Sequence, residues 1–302
     1  MPVRQTDAPS ISLIGAGKLG KTLARLFYTQ AGCRIAGVTT RSRQSAQQAV
    51  DFIGAGTVAD QADSAAGIIL LAVPDDAIAA SCRQLLRSAP DLSNKLVFHC
   101  SGSLSSDILA PAADAGALTA SVHPVFSFAD PASAVSTFAG TPCGVEGNGR
   151  ALAVLEKLFN AIGGRCSRID PARKSLYHCA AVMANNYTVA LQYLATQLYR
   201  ASGMKEDEIA GFILPILQGT VDNIRERGVE ESLTGPIARG DTGTIGHHLQ
   251  ALQSLPAEIS HAYRALGLAS CALLESRNPQ EAAKTTPAIR ALLASVPDRD
   301  EA

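Results

Sequence analysis

The sequence predicts an α/β fold, a doubly wound, mostly parallel sheet followed by an all-helical carboxyl-terminal half, and three observations carry that reading. Across residues 10–170, short apolar runs rich in β-branched residues alternate with helical stretches, the pattern of repeated βαβ units. A glycine-rich turn, Gly15-Ala16-Gly17-Lys18-Leu19-Gly20, directly follows the first of those runs. From Pro171 onward the strand signals stop and long segments of helical period take over. A chain of 302 residues exceeds what one core usually organises, so two domains are expected, 1–170 and 171–302.

The expected strands are residues 11–14, 34–39, 68–73, 96–99, 118–122, 141–146 and 165–168. The first runs straight into the glycines, and Leu19, Leu23, Leu26 and Phe27 then repeat at helical spacing. The second leads into a helix over 44–52. The third ends at Val73-Pro74, after which Asp75 and Asp76 precede a helix over 77–86; an aspartate there reads first as an amino-terminal cap. Residues 126–140 are rich in small side chains and read as a flap. In the second half, helices are expected over 172–201, 206–227, 244–252, 257–266 and 279–293.

Composition narrows the function. The chain is 47% hydrophobic and 18% charged, a globular balance, and its formal charge of -1 offers no broad positive field for nucleic acid. The amino terminus is polar and the most apolar stretch, 67–73, is too short to span a bilayer, so a cytoplasmic protein without a membrane partner is expected. Seven scattered cysteines form no Cys-x-x-Cys pair, and six histidines lack a metal-site spacing; no metal is expected.

The glycine turn sits between a strand and a helix, the context a dinucleotide fingerprint requires. There Gly15 permits the tight turn, Gly17 lets backbone approach a pyrophosphate, and Gly20 lets the helix pack close, with Ala16, Lys18 and Leu19 lining the same loop. This makes the fold Rossmann-type. After the second strand the chain reads Thr39-Thr40-Arg41-Ser42-Arg43, with no carboxylate to bond the 2′-hydroxyl of NAD. Thr40, Arg41, Ser42 and Arg43 suit a 2′-phosphate and favour NADP(H), the alternative being solvated loop charges. Val73 and Pro74 turn over the same crevice.

The chemistry is sought on the helix after the domain boundary. At 100° per residue, Lys174, His178, Asn185 and Gln192 fall within about 40° of one another and form a polar stripe, facing either a substrate or solvent. Asn186 lies about 120° from Lys174 on an ideal helix. Ser101 and Gly102, and His123, follow strands and so lie at the ligand-binding edge; His99 and His123 read first as structural histidines. In the second half, Thr234, Gly235 and Arg239 occupy a Gly- and Pro-interrupted stretch that either holds a carboxylate or forms a turn with Arg239 paired to Asp241.

Four segments, His99-Cys-Ser-Gly, His123-Pro-Val-Phe-Ser-Phe, Lys174-Ser-Leu-Tyr-His178 with Asn186-Tyr187, and Leu233-Thr-Gly-Pro-Ile-Ala-Arg-Gly-Asp241, resemble a bacterial Rossmann-like family with a helical carboxyl-terminal domain of originally unknown function. Some members of that family are alternative ketopantoate reductases. More distantly, the chain resembles the β-hydroxyacid dehydrogenase and pyrroline-5-carboxylate reductase superfamily. That likeness implies a catalytic Lys174, with His178 standing where the dehydrogenases carry asparagine, and a homodimer formed through the helical domain. The expectation is therefore an NADPH-dependent oxidoreductase that reduces a small 2-oxo acid, with ketopantoate first. Lys174 would be the acid, His178 its relay, Asn186 or Asn185 an orienting amide, and Arg239 the carboxylate clamp. An imine or pyrroline-carboxylate reductase and a non-catalytic NADP-binding sensor or scaffold are the alternatives.

Overall fold

The computed structural model describes residues 8–62 and 65–295 and divides into two compact units, Met1–Asn186 and Tyr187–Ala302. In the first unit, β1 (Ser10–Ile14), β2 (Arg34–Thr39), β3 (Thr57–Val58), β4 (Ile68–Leu71), β5 (Leu96–His99), β6 (Leu118–Pro124), β7 (Pro142–Gly147) and β8 (Arg165–Arg168) form one sheet. Its order is β3-β2-β1-β4-β5-β6-β7-β8. Every neighbouring pair is parallel except β6 with β7. The order reverses direction between β1 and β4, which opens a crevice at their carboxyl ends.

Helices cover both faces, which is why β4 and β5 are buried at every position. On one face α1 (Lys18–Thr29), α2 (Arg43–Ile53) and, later in the chain, α6 (Gly149–Ala161) bury Leu23, Phe27, Ala46, Ile53, Leu155 and Phe159 in a common core. On the other, α3 (Asp75–Ser88) and α4 (Ala110–Asp114) bury Ile78, Cys82, Leu85 and Ala112. Between β6 and β7 the chain forms α5 (Pro131–Thr137), capped by Asp130. Residues 126–140 are thus no loose flap: Phe138 is fully buried and packs against Phe126 and Phe128.

The expected continuous helix over 172–201 is broken. A single 3-10 turn precedes α7 (Lys174–Ala184), and α8 (Asn186–Ala201) starts after Asn185. Two consecutive asparagines, poor helix formers whose amides compete with the backbone, stand at the break. The units also divide at 186, whereas the sequence suggests 170. Lys174 ties α7 to the sheet and keeps that helix in the first unit.

From Tyr187 the second unit is helical. It comprises the rest of α8, then α9 (Glu206–Arg227), α10 (Thr242–Ala251), α11 (Ala257–Arg277) and α12 (Pro279–Ala294). Ile245, Leu249, Cys271, Ile289 and Leu293 form its small core. Glu275 of α11 and Arg290 of α12 join in a two-bond ion pair at 2.8 Å. α8 and α9 leave Val189, Tyr193, Leu214 and Ile216 more than 60% exposed. Among the described residues no helix is long and apolar enough to cross a membrane.

Candidate active site

The glycine turn forms a cradle at the carboxyl end of β1. Gly15 has φ +84°, and a Cβ there would lie 2.5 Å from the Ala72 carbonyl oxygen and 2.7 Å from Val73 Cγ1. A Cβ on Gly20 would lie 2.7 Å from Ala72 Cβ, so the third glycine sets how closely α1 approaches β4. Gly17, the amino-terminal cap of α1, has nothing within 4 Å of that position, and no side chain caps the helix. The start of α1 is thus left without a side-chain cap, as an anion site requires. Beside the cradle the buried Thr39 hydroxyl at the end of β2 has no hydrogen-bond partner among the described residues.

The four residues past β2 differ in availability. The Ser42 hydroxyl caps α2 by accepting from the Ser45 N–H, and Thr40 Oγ1 donates to the Ser42 carbonyl. Arg43 pairs with Asp60 at 2.7 Å, both side chains well exposed. Arg41 is exposed, and no ion pair engages it among the described residues. Val73 lies against Gly15, and Pro74 caps α3.

Asp75 does not cap that helix. Its Oδ2 accepts from Ser101 Oγ at 2.7 Å and Ser103 Oγ at 2.9 Å, tying the loop after β5 to the start of α3. Ser101 Oγ itself accepts from the Leu104 N–H, so its hydrogen-bonding capacity is largely spent on the loop. His99 is buried and satisfied at both nitrogens. Nδ1 accepts from the Ser101 N–H, which leaves the proton on Nε2 to donate to the Ser105 carbonyl. Burial, then the charge of Lys174, pushes its pKa down to about 4.

Lys174, the expected acid, lies in a dry network. Its side chain and that of Glu146 are each 1% exposed, and Nζ donates to Glu146 Oε1 at 2.8 Å and to the Ser121 hydroxyl. The carboxylate also accepts from the Ser106 N–H at 2.9 Å and the Ser106 hydroxyl at 2.7 Å. Burial lowers the Lys174 pKa and Glu146 opposes that shift. With three protein donors on the carboxylate and two acceptors on the ammonium, the charges of the pair are compensated without substrate.

An opening in this unit lies further along α7. A cavity of about 360 Å³ is lined by His123, Phe126, His178, Asn185 and Asn186 among others, and Lys174 is not in its wall. The break at Asn185 brings both asparagines to it, which removes the conflict that an unbroken helix poses. His123 Nδ1 lies 3.1 Å from the Tyr177 hydroxyl, and its ring meets that of His178 edge-on at 5.7 Å. Burial, then His178, pushes the His123 pKa down to about 4, so the ring is neutral at pH 7. Two glycines make room for these rings. A Cβ at Gly102 would lie 2.3 Å from His178 Cδ2 and 2.8 Å from His123 Nε2, and one at Gly144 would lie 2.5 Å from the Tyr177 hydroxyl.

Thr234, Gly235 and Arg239 belong to the second unit. Gly235 has φ +90°, and its carbonyl accepts from the Arg239 N–H at 3.2 Å. Asp241 caps α10 through the Thr244 N–H and hydroxyl, and those bonds first hold its carboxyl below the usual range. Arg239 makes no ion pair with it. Sequence reasoning missed Glu146, Ser106, Asp75 and the partnership of Tyr177 with His123. The available signal was a lone glutamate in an otherwise uncharged strand, Pro142–Gly147.

Residues 3–124 match the Rossmann-like domain family, and residues 141–270 match the domain of unknown function DUF2520. A Thermotoga maritima protein, TM1727, is 28% identical, with a TM-score of 0.69 over 89% of this chain and 99% of that one. A Bacteroides fragilis protein described as a candidate NADP oxidoreductase is 24% identical, with a TM-score of 0.69 over 88% and 98% of the two chains. A reductive aminase from Aspergillus terreus, solved with NADPH and ethyl-5-oxohexanoate, is 18% identical, with a TM-score of 0.59 over 95% and 93%. A search of the curated proteins finds no match.

Proposed function

We propose, from the match of residues 3–124 to a Rossmann-like domain and of residues 141–270 to DUF2520, that the chain is an NADPH-dependent oxidoreductase that reduces a small 2-oxo acid, with ketopantoate first among substrates. The observation that carries this reading is the open cradle at Gly17 on the same sheet edge as a cavity walled by two imidazoles and two amides. Gly15 to Gly20 and the first turn of α1 would hold the pyrophosphate, and Arg41, free of an ion pair, the 2′-phosphate. Val73 and Pro74 flank that crevice. When bound, the cofactor supplies a hydride.

The proton for the resulting alkoxide has to come from the cavity wall. His178 is the donor in this reading, and neutral His123, held through Nδ1 by Tyr177, sets its orientation. Asn185 and Asn186 orient the carbonyl, and the Gly102 backbone packs against both imidazoles. Lys174 becomes a positioning residue that fixes α7 against β6 and β7 through Ser121 and Glu146. The carboxylate clamp of Thr234, Gly235 and Arg239 stays part of the proposal on the strength of the sequence.

Reduction of a C=N bond is the second reading. It is favoured by the engagement of Lys174 away from the cavity, since a protonated imine brings its own positive charge and needs no acid. A second copy covering the exposed apolar side chains of α8 and α9 gives the homodimer expected from the resemblance, checked by sedimentation. The functional test is NADPH consumption with ketopantoate, other 2-oxo acids and cyclic imines, with NADH alongside. Turnover of one oxo acid supports the first reading and turnover of imines alone the second. Tight NADPH binding with no turnover would replace both with the sensor.

A further inference from the structure

Two of the seven cysteines are neighbours in the sheet. β7 and β8 run parallel in a register that pairs Cys143 directly with Cys166. Side chains at paired positions leave the same face, and strands lie about 4.8 Å apart. That spacing falls inside the roughly 4.4–6.8 Å between Cα atoms that a disulfide spans. The two side chains are close enough to shift each other's titration, and Cys143 Sγ donates to the Thr141 carbonyl oxygen at 3.5 Å. Their surroundings differ. Cys143 is 1% exposed, whereas Cys166 is half-buried and sits on β8, the last strand of the sheet. An edge strand has a single ladder to preserve, so it can adjust as the bond forms.

We propose that Cys166 and Cys143 are an oxidative modification site, converted by peroxide into a disulfide that staples the last two strands. Exposure assigns the roles: half-buried Cys166 meets peroxide first, and Cys143 beside it lowers its pKa, whereas Cys166, then burial, raises that of Cys143. The Cys166 thiolate attacks one peroxide oxygen; an S–O bond forms, the O–O bond breaks, and the departing hydroxide takes a proton to become water. Cys143 then gives up its proton and attacks the Cys166 sulfur. The S–S bond forms, the S–O bond breaks, and the hydroxyl leaves with that proton as a second water. Two thiols are oxidised and one peroxide is reduced. Cys33, Cys82, Cys100 and Cys271 are buried, and Cys179 is exposed on α7, so Cys179 is the internal control for mere accessibility. This chemistry is independent of the reductase reading.

The test treats the full-length protein with one equivalent of hydrogen peroxide, blocks remaining thiols, and maps unreduced peptides by mass spectrometry. The expected result is a peptide pair joined at Cys143 and Cys166 and a fall in titratable thiols from seven to five, reversed by dithiothreitol. In Cys143→Ser, Cys166 should instead accumulate a sulfenic acid that dimedone traps. Oxidation confined to Cys179, or Cys166 driven to sulfinic acid in the wild-type protein with no link to Cys143, would overturn the proposal. The wild-type map decides the matter even if the variant fails to fold.

Discussion

Two ends of one helix, α7, carry polar side chains that the sequence groups together, and the protein uses them in opposite ways. At its start Lys174 is sealed against Glu146 and Ser121, with two acceptors on the ammonium and three donors on the carboxylate. From its second turn to the break that ends it, His178, Asn185 and, opening α8, Asn186 wall a cavity. A cation with a satisfied, buried carboxylate has little to offer a substrate, because releasing it would leave a bare charge in a dry site. The difference teaches that helical periodicity finds a face, while burial decides which part of that face does chemistry.

The sharpest way to break this comparison is to unbalance the dry end. Lys174→Ala strands the Glu146 carboxylate and should cost about 3–5 kcal/mol in urea unfolding. Pairing Lys174→Met with Glu146→Gln should recover most of that loss, since both charges then go. A double variant no more stable than Lys174→Ala would remove the dry-pair account.

At the open end, Gly102→Ala presses a methyl group onto the two imidazoles. It should cost about 1–3 kcal/mol, with a larger fall in kcat than the stability change explains. Thermal melts alongside turnover would separate the two effects. Away from both ends, Arg41→Glu should weaken NADPH binding by about 10- to 100-fold and leave NADH nearly unchanged. Equal weakening for both would take Arg41 out of the phosphate site.

A further effect is on acid stability. Burial pushes His99 and His123 down from 6.5 to about 4, so the unfolded chain binds the protons that the folded one refuses. Their contribution to stability is present above pH 6.5 and lost as pH falls towards 4. Urea midpoints should decline over that window, and less steeply in His123→Asn. An unchanged slope in that variant would mean His123 is not held neutral.

What was legible in the sequence follows from locality. Runs such as Ile68–Leu71 and the glycine turn after Ile14 are contiguous, and the Rossmann-type sheet and its helical sequel were readable from them. β3 was not, because Thr57–Val58 has two residues and no period to detect. The face holding His178 and Asn185 was readable from helical spacing. The sealing of Lys174 was not, since its partners lie 28 and 53 residues away and only the sheet brings them together. The break at Asn185 had a visible cause in the paired asparagines, yet propensity alone seldom decides where a packed helix ends.

The most direct test compares turnover by two variants on whichever substrate the panel identifies. His178→Ala should lower kcat by about 10²- to 10⁴-fold with its unfolding midpoint intact, as loss of a proton donor requires. Lys174→Met with Glu146→Gln should stay within about tenfold of wild type, the proton donor being untouched. The reverse outcome, a nearly active His178→Ala and a dead double variant that still folds, would return the proton to Lys174 and contradict the account.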